Sequence, residues 1–236
     1  MKVLFWKILL KVQHGAEASL MSMAGIIFRF FAATLISGSV TVAHAQQGMS
    51  LANGVFLVAK PMLIDTQFRE TVVLITELEA GSGPIGVIIN RPLDIRLSKL
   101  ISGIHIPASF DHVYGGGPVA LTQLFFLLHS HEQPAHSVPV LADVYLSGDR
   151  RLLESVMRGN TKVSAFHAYV GYSGWAPEQL QLEIASGGWY VMQADAETIF
   201  RTDSSKIWPE LMRRAASQYT AIPNHRSQQL ASLSIK

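Results

Sequence analysis

The chain has 236 residues, 49% of them hydrophobic and 15% charged, which is enough apolar material for one sizeable core and short for more than one or two domains. It has no cysteine, so disulfides, thiolate nucleophiles and cysteine-based metal sites are excluded. The formal charge of +2 is uneven: residues 1–47 hold Lys2, Lys7, Lys11 and Arg29 against one acid, Glu17, so the remainder carries 15 basic and 16 acidic residues, net −1. A body this close to neutral lacks the basic footprint of non-specific nucleic-acid binding, and nucleic acid is not an expected partner.

Residues 1–45 read as a leader. Met1–Lys11 is basic and apolar but too short to span a bilayer. A second apolar run, 26–42, is broken by Arg29 and ends in Ala43-His44-Ala45, small residues two apart as at a signal-peptidase site. Cleavage after Ala45 predicts a periplasmic or secreted protein that starts at Gln46; a membrane enters only through an uncleaved leader. Met21 and Met23 are alternative starts.

In the body, 54–60 (GVFLVAK) reads as a buried strand stopped by Pro61. Residues 63–70 suit a turn or one helical turn capped by Asp65. The runs 71–76 and 85–90 are β-branched strands, with 77–84 a polar connection short enough to make them an antiparallel hairpin. Residues 97–101 suit a short helix, 104–107 an extended piece, and 112–114 a strand running into Gly115-Gly116-Gly117-Pro118. A strand at 124–128 ends at His129, 130–137 is loop, and 138–146 holds one or two short strands.

Asp149–Arg158 places Leu152, Leu153 and Val156 on one side, an amphipathic helix ended by Gly159. Residues 163–172 alternate as a strand, a helix starts at Pro177 and runs to Ile184, and 189–193 is a strand. Short helices are expected at 195–200 and 207–216, and 217–236 is a polar, flexible tail. Many short strands with few helices point to an α+β fold: one compact domain at 48–216, with a curled, largely antiparallel sheet flanked by short helices.

Four blocks in order carry a resemblance: 54–76 (GVFLVAKPMLIDTQFRETVVLIT), 83–92 (GPIGVIINRP), 113–119 (VYGGGPV) with FFLLH after it, and 170–184 (VGYSGWAPEQLQLEI) followed by Trp189. Together they resemble the AlgH/YqgE family over about residues 51–216. The resemblance implies a single α+β domain with a curled antiparallel sheet. It implies no established biochemical activity, although a transcriptional-regulator label attaches to the family in places. Where the family has Gly-Gln-Leu after its tryptophan, this chain has Glu178-Gln179-Leu180.

The candidate chemistry is sparse. Ser173 has Trp175 two residues on, where a nucleophile elbow needs glycine, so a turn serine is expected. Gly115-Gly116-Gly117 lacks the Lys-Ser/Thr of a phosphate loop and reads as a tight structural turn. His129, His131 and His136 are weak metal candidates with no carboxylate at recognisable spacing. No cofactor is expected. Asn90-Arg91 ends a strand, and Arg91 either holds a carboxylate ligand or pairs with Asp65, Asp94 or Glu183, the internal pair being favoured.

Trp175, Gln179 and Glu183 are spaced i, i+4, i+8, so on one helix they share a face. With Tyr172 they form the expected groove for a peptide or small polar ligand in a non-enzymatic binding or regulatory domain. The alternatives are a cytosolic transcriptional regulator and an enzyme using Asp65, His129 and Glu183 as acid–base groups.

Overall fold

A computed structural model describes residues 52–79 and 83–220. The leader and the tail beyond Thr220 lie outside the described residues. Strands β1 (Val55–Ala59), β2 (Val72–Glu79), β3 (Gly83–Ile88) and β10 (Trp189–Gln193) form one half of the sheet. Strands β4 (Pro92–Arg96), β5 (His112–Gly115), β6 (Val119–His129), β7 (Val138–Leu141), β8 (Val144–Ser147) and β9 (Ala165–Gly174) form the other. The order is β10-β1-β2-β3-β9-β6-β8-β7, with β4 on β5 and β5 on β9. Among the described residues β5 and β9 run parallel and every other strand pair is antiparallel.

The sheet curls until its far strand, β7, lies against the start of β1, one strand in from the opposite edge. A Cβ built on Gly54, just before β1, would stand 2.9 Å from the Val140 carbonyl of β7. The curl explains the unbroken apolar run of β1, whose five residues are all buried. Val55, Leu57 and Ala59 face an outer cluster with Phe68, Trp175, Leu180 and Trp189. Phe56 and Val58 are equally buried on the opposite, concave face. A second outer cluster covers the other half: Phe126 and Leu128 of β6, and Phe166 and Ala168 of β9, lie under α1 (Leu97–Leu100) and α2 (Arg150–Met157). Helix α2 presents Leu152, Leu153 and Val156 to this cluster, and the Asp149 carboxylate caps it by accepting from the Arg151 amide at 2.8 Å.

Some expectations are corrected. The hairpin is longer than its apolar residues: β2 continues to Glu79 and pairs Glu77 with Ile85 and Leu78 with Pro84 past a bulge, because ladder bonds use backbone and not side chains. Strand β4 was not expected, and β6 begins at Val119, before its apolar run. Residues 104–107 form no strand; a 3₁₀ turn follows at Ala108–Phe110. Helices α3 (Gln179–Ala185), α4 (Ala196–Ile199) and α5 (Ile207–Thr220) are present. Helix α3 starts two residues after Pro177, and α5 takes in the first four residues assigned to the tail.

Candidate functional site

The expected groove is held shut by its own side chains. Trp175 and Trp189 both donate their indole N–H to Glu183 Oε2, at 3.1 and 2.9 Å. Gln179 donates to Glu183 Oε1 at 2.9 Å, and its own Oε1 accepts from the Ala176 amide. One carboxylate on α3 therefore ties the end of β9 to the start of β10. Phe68 stacks on Trp175 (5.7 Å) and meets Trp189 edge-on (5.5 Å), completing the apolar side of the lock.

The shared helix face is not what brings these residues together. Trp175 precedes the helix, and between them lies a turn in which the Gln179 amide donates to the Ala176 carbonyl while Glu178 takes φ +66° and ψ −17°. Proline second and a left-handed residue third is the pattern of a type II turn, so Pro177 serves the turn and not the first helical position. Tyr172 takes no part in the Glu183 network among the described residues; its half-buried ring packs edge-on against Phe125 at 6.0 Å, and burial raises its hydroxyl pKa.

Ser173 is fully buried and donates to the Gly116 carbonyl at 3.0 Å, which also accepts from the Ile88 amide. The glycine run is a close backbone crossing: a Cβ on Gly116 would stand 2.3 Å from the Gly171 carbonyl oxygen, and one on Gly117 2.3 Å from the Tyr172 carbonyl. Both motifs are structural.

Asn90 ties β2 to the end of β3. Its Oδ1 accepts from the Val72 amide at 2.8 Å and its amide group donates to the Glu70 carbonyl at 2.9 Å. The internal ion pair expected of Arg91 is absent among the described residues. Its guanidinium donates to the Gln67 carbonyl, and Asp65, Asp94 and Glu183 are not paired with it. Partial burial pulls the Arg91 pKa below the usual arginine value. Its methylene stem lies where a Cβ on Gly115 would come within 3.4 Å.

The three acid–base candidates serve separate ends. Asp65 accepts from the Gln67 amide at 2.8 Å to cap the 3₁₀ turn Thr66–Phe68, Glu183 holds the indoles, and His129 bonds Ser164. No hydrogen bond or ion pair among the described residues joins any two of them. The histidine set also divides: His136 lies 3.6 Å from Asp149, while the rings of His129 and His131 lie 6.5 Å apart. Among the described residues no three His, Asp or Glu groups converge as a metal centre.

Sequence reasoning missed a second cluster, at the start of β9. His167 stacks on Tyr114 (4.6 Å), meets Phe200 edge-on (5.3 Å) and lies 3.5 Å from the Tyr169 hydroxyl through Nδ1. Burial, with the nearby charge of His112, lowers the His167 pKa to about 4. Burial also pushes the Tyr169 hydroxyl well above its usual value. In sequence these residues are ordinary strand alternation; only the parallel β5–β9 pairing, Tyr114 beside Tyr169, reveals them as neighbours.

The comparisons with known proteins agree on the fold. A family model described as AlgH-like matches residues 56–220. A UPF0301 protein of Hahella chejuensis is 35% identical over 173 residues, covering 70% of this chain and 90% of the relative. One from Chlorobaculum tepidum is 29% identical over 179 residues, covering 74% and 92%. The solution structure of AlgH from Pseudomonas aeruginosa superposes with a TM-score of 0.59 at 25% identity, covering 75% of this chain and all of that one. A crystal structure from Corynebacterium diphtheriae gives 0.61 at 22% identity, covering 72% and 90%. With a family model spanning most of the described body, and a relative at 35% identity over most of its own length, the chain belongs to the AlgH-like family.

Proposed function

We propose that this chain is a non-enzymatic binding or regulatory domain, exported, that takes the carboxylate of a small polar ligand or peptide at Arg91. The observation that supports this is a partly buried guanidinium whose hydrogen-bond partner is one carbonyl, that of Gln67, with no ion-paired carboxylate among the described residues. A guanidinium carries five N–H donors in a rigid fork that matches a carboxylate two bonds at a time. Here much of the fork is uncommitted, and the guanidinium is already partly desolvated. Asn90 contributes by fixing the backbone that aims it.

The non-enzymatic part is supported by the separate structural duties of Asp65, His129 and Glu183. The net charge of −1 beyond residue 47 supports a ligand other than nucleic acid. The export part is supported by Ala43-His44-Ala45 after the apolar run. N-terminal sequencing from cell fractions tests it: a Gln46 start in the periplasm is expected, and an intact cytosolic chain overturns it.

The binding part is tested by NMR titration of the purified chain with acetylated dipeptides that end in a free carboxylate or in an amide. Shifts around Arg91, Gln67 and Gly115 with the acid alone are expected, lost in Arg91→Gln. Equal response to acid and amide, no response to either, or full response in Arg91→Gln overturns it.

A further inference from the structure

We propose that β4 (Pro92–Arg96) is a self-association edge, at which a second copy of this chain adds its own β4 antiparallel to the first. The inference does not depend on the reading of Arg91.

Among the described residues β4 is bonded on one side only: it pairs with β5, and no strand lies beyond it. In an antiparallel pair, successive residues turn their backbone N–H and C=O groups alternately toward the partner and away from it. The Gly115 amide donates to the Arg91 carbonyl at 2.8 Å, so the backbone of Leu93 also faces β5 and that of Asp94 faces away. The Leu97 amide donates to the Asp111 carbonyl at 3.3 Å, so counting back from that end turns Arg96 and Asp94 outward. The two counts agree on Asp94 across the register shift between Leu93 and Arg96. Neither outward amide, of Asp94 or of Arg96, bonds a loop or a side chain among the described residues.

The side chains are equally uncommitted. Asp94, Ile95 and Arg96 are exposed, Ile95 at 44%. Asp94 and Arg96 have no ion pair among the described residues. Asp111, whose carboxylate lies in the field of Arg96, is committed to the Ser98 amide and hydroxyl at 2.7 and 2.9 Å.

Exposed edges are commonly guarded by proline, charges and irregular register, and β4 has all three. These features reject an arbitrary strand but admit one that carries matching charges in the right order. An antiparallel copy centred on Ile95 has them: Asp94 lies opposite Arg96 of the second copy, and Arg96 opposite Asp94 of the second copy. These are the outward residues, so each opposed pair exchanges both backbone bonds and also forms a salt bridge. Ile95 then meets Ile95 of the second copy in the closer, non-hydrogen-bonded kind of pair, which covers an exposed apolar side chain. Centring on Asp94 or on Arg96 sets like charges opposite each other, as does parallel pairing in register. Helix α1 begins at Leu97 and ends the match, so the interface is small and the dimer weak.

The test is sedimentation equilibrium of the purified chain from about 10 µM to about 1 mM at low salt, where surface charge is least screened. A monomer–dimer equilibrium is expected. Asp94→Arg and Arg96→Asp each set like charges opposite each other and weaken it by about tenfold or more. An equimolar mixture of these two variants restores association, because each supplies the charge that the other lacks; so does the double variant Asp94→Arg/Arg96→Asp. Ile95→Lys, which brings two ammonium groups together at the axis, abolishes it. The substituted positions are exposed, and melting at low micromolar concentration checks that each variant folds. A chain that stays monomeric at the highest concentration overturns the self-pairing and leaves the edge to a strand of another protein. Dimers of parent strength in either single variant, or a mixture that does not associate, overturn it as well.

Discussion

The two ends of β9 are built on different terms. At its C-terminal end the polar groups are committed: Ser173 bonds the Gly116 carbonyl, and Glu183 accepts from two indoles and an amide. At its N-terminal end the polar groups are loosely held. His167 has a 3.5 Å contact to Tyr169 and aromatic neighbours, and His129, paired to this end of the strand, has no hydrogen bond at Nε2 among the described residues. The first end is dense in polar residues at regular spacing; at the second, His129 stands out in sequence and His167 does not. Polar density therefore marks an internal lock here.

Breaking the lock gives the largest effect. Glu183→Ala leaves two indole N–H groups and the Gln179 amide without their shared acceptor. Hydrogen bonds to a charged group contribute about 1.5–3 kcal/mol each, discounted here because water reaches the rim, so a loss of about 3 kcal/mol is expected. That corresponds to a fall in melting temperature of roughly 10 °C, followed by circular dichroism. Glu183→Gln, which retains one acceptor oxygen, loses about half as much. A loss under about 0.5 kcal/mol in Glu183→Ala would show that the carboxylate is not structural and return it to the ligand candidates.

The loose end is exposed by acid. The free imidazole titrates near 6.5, and His167 in the fold at about 4. Between those values the unfolded chain binds more protons than the folded one. The stability is therefore fully present above about pH 6.5 and falls as pH drops toward 4. At about 1.4 kcal/mol per pH unit, roughly 2–3 kcal/mol is lost by pH 4.5. Asp111 and Asp149, whose pKa values are lowered from 3.8 by hydrogen bonds to Ser98 and Arg151, act below that window. Urea unfolding at pH 7 and 4.5 measures the slope, and His167→Gln is expected to flatten it. An equal slope in both proteins would mean that some other group carries the acid sensitivity.

Much of the fold was legible because its cause is local. Strands β1, β2, β3 and β10 are runs of apolar residues, and α2 has its cap at Asp149 and its stop at Gly159, which takes φ +75°. Strand β4 was hidden because its residues are largely exposed and it is held by backbone pairing to β5, which no side-chain pattern records. The site was legible in part. The four-residue spacing of Gln179 and Glu183 predicted their contact, but Trp189 reaches the same carboxylate only because β10 pairs with β1. His167, Tyr114 and Asp143 owe their neighbours entirely to tertiary pairing.

The smallest expected effect tests whether the lock carries strain. Glu178 occupies the third position of the turn at φ +66°, a conformation that costs a residue with a Cβ about 1 kcal/mol or more and glycine almost nothing. The side chain of Glu178 is exposed, and its backbone carbonyl accepts from the Leu182 amide whatever the side chain. Glu178→Gly therefore removes backbone strain while leaving the α3 contacts in place; against this, glycine makes the unfolded chain looser, which offsets part of the gain. A net stabilisation of about 0.5–1 kcal/mol is expected, read as a higher urea midpoint at unchanged slope. Glu178→Ala, which keeps the Cβ, should gain nothing. A Glu178→Gly variant less stable than the parent, or matched by Glu178→Ala, would mean that the turn is set by the Trp175–Glu183–Trp189 contacts without stored strain, and would place the tightness of this end of β9 in its hydrogen bonds alone.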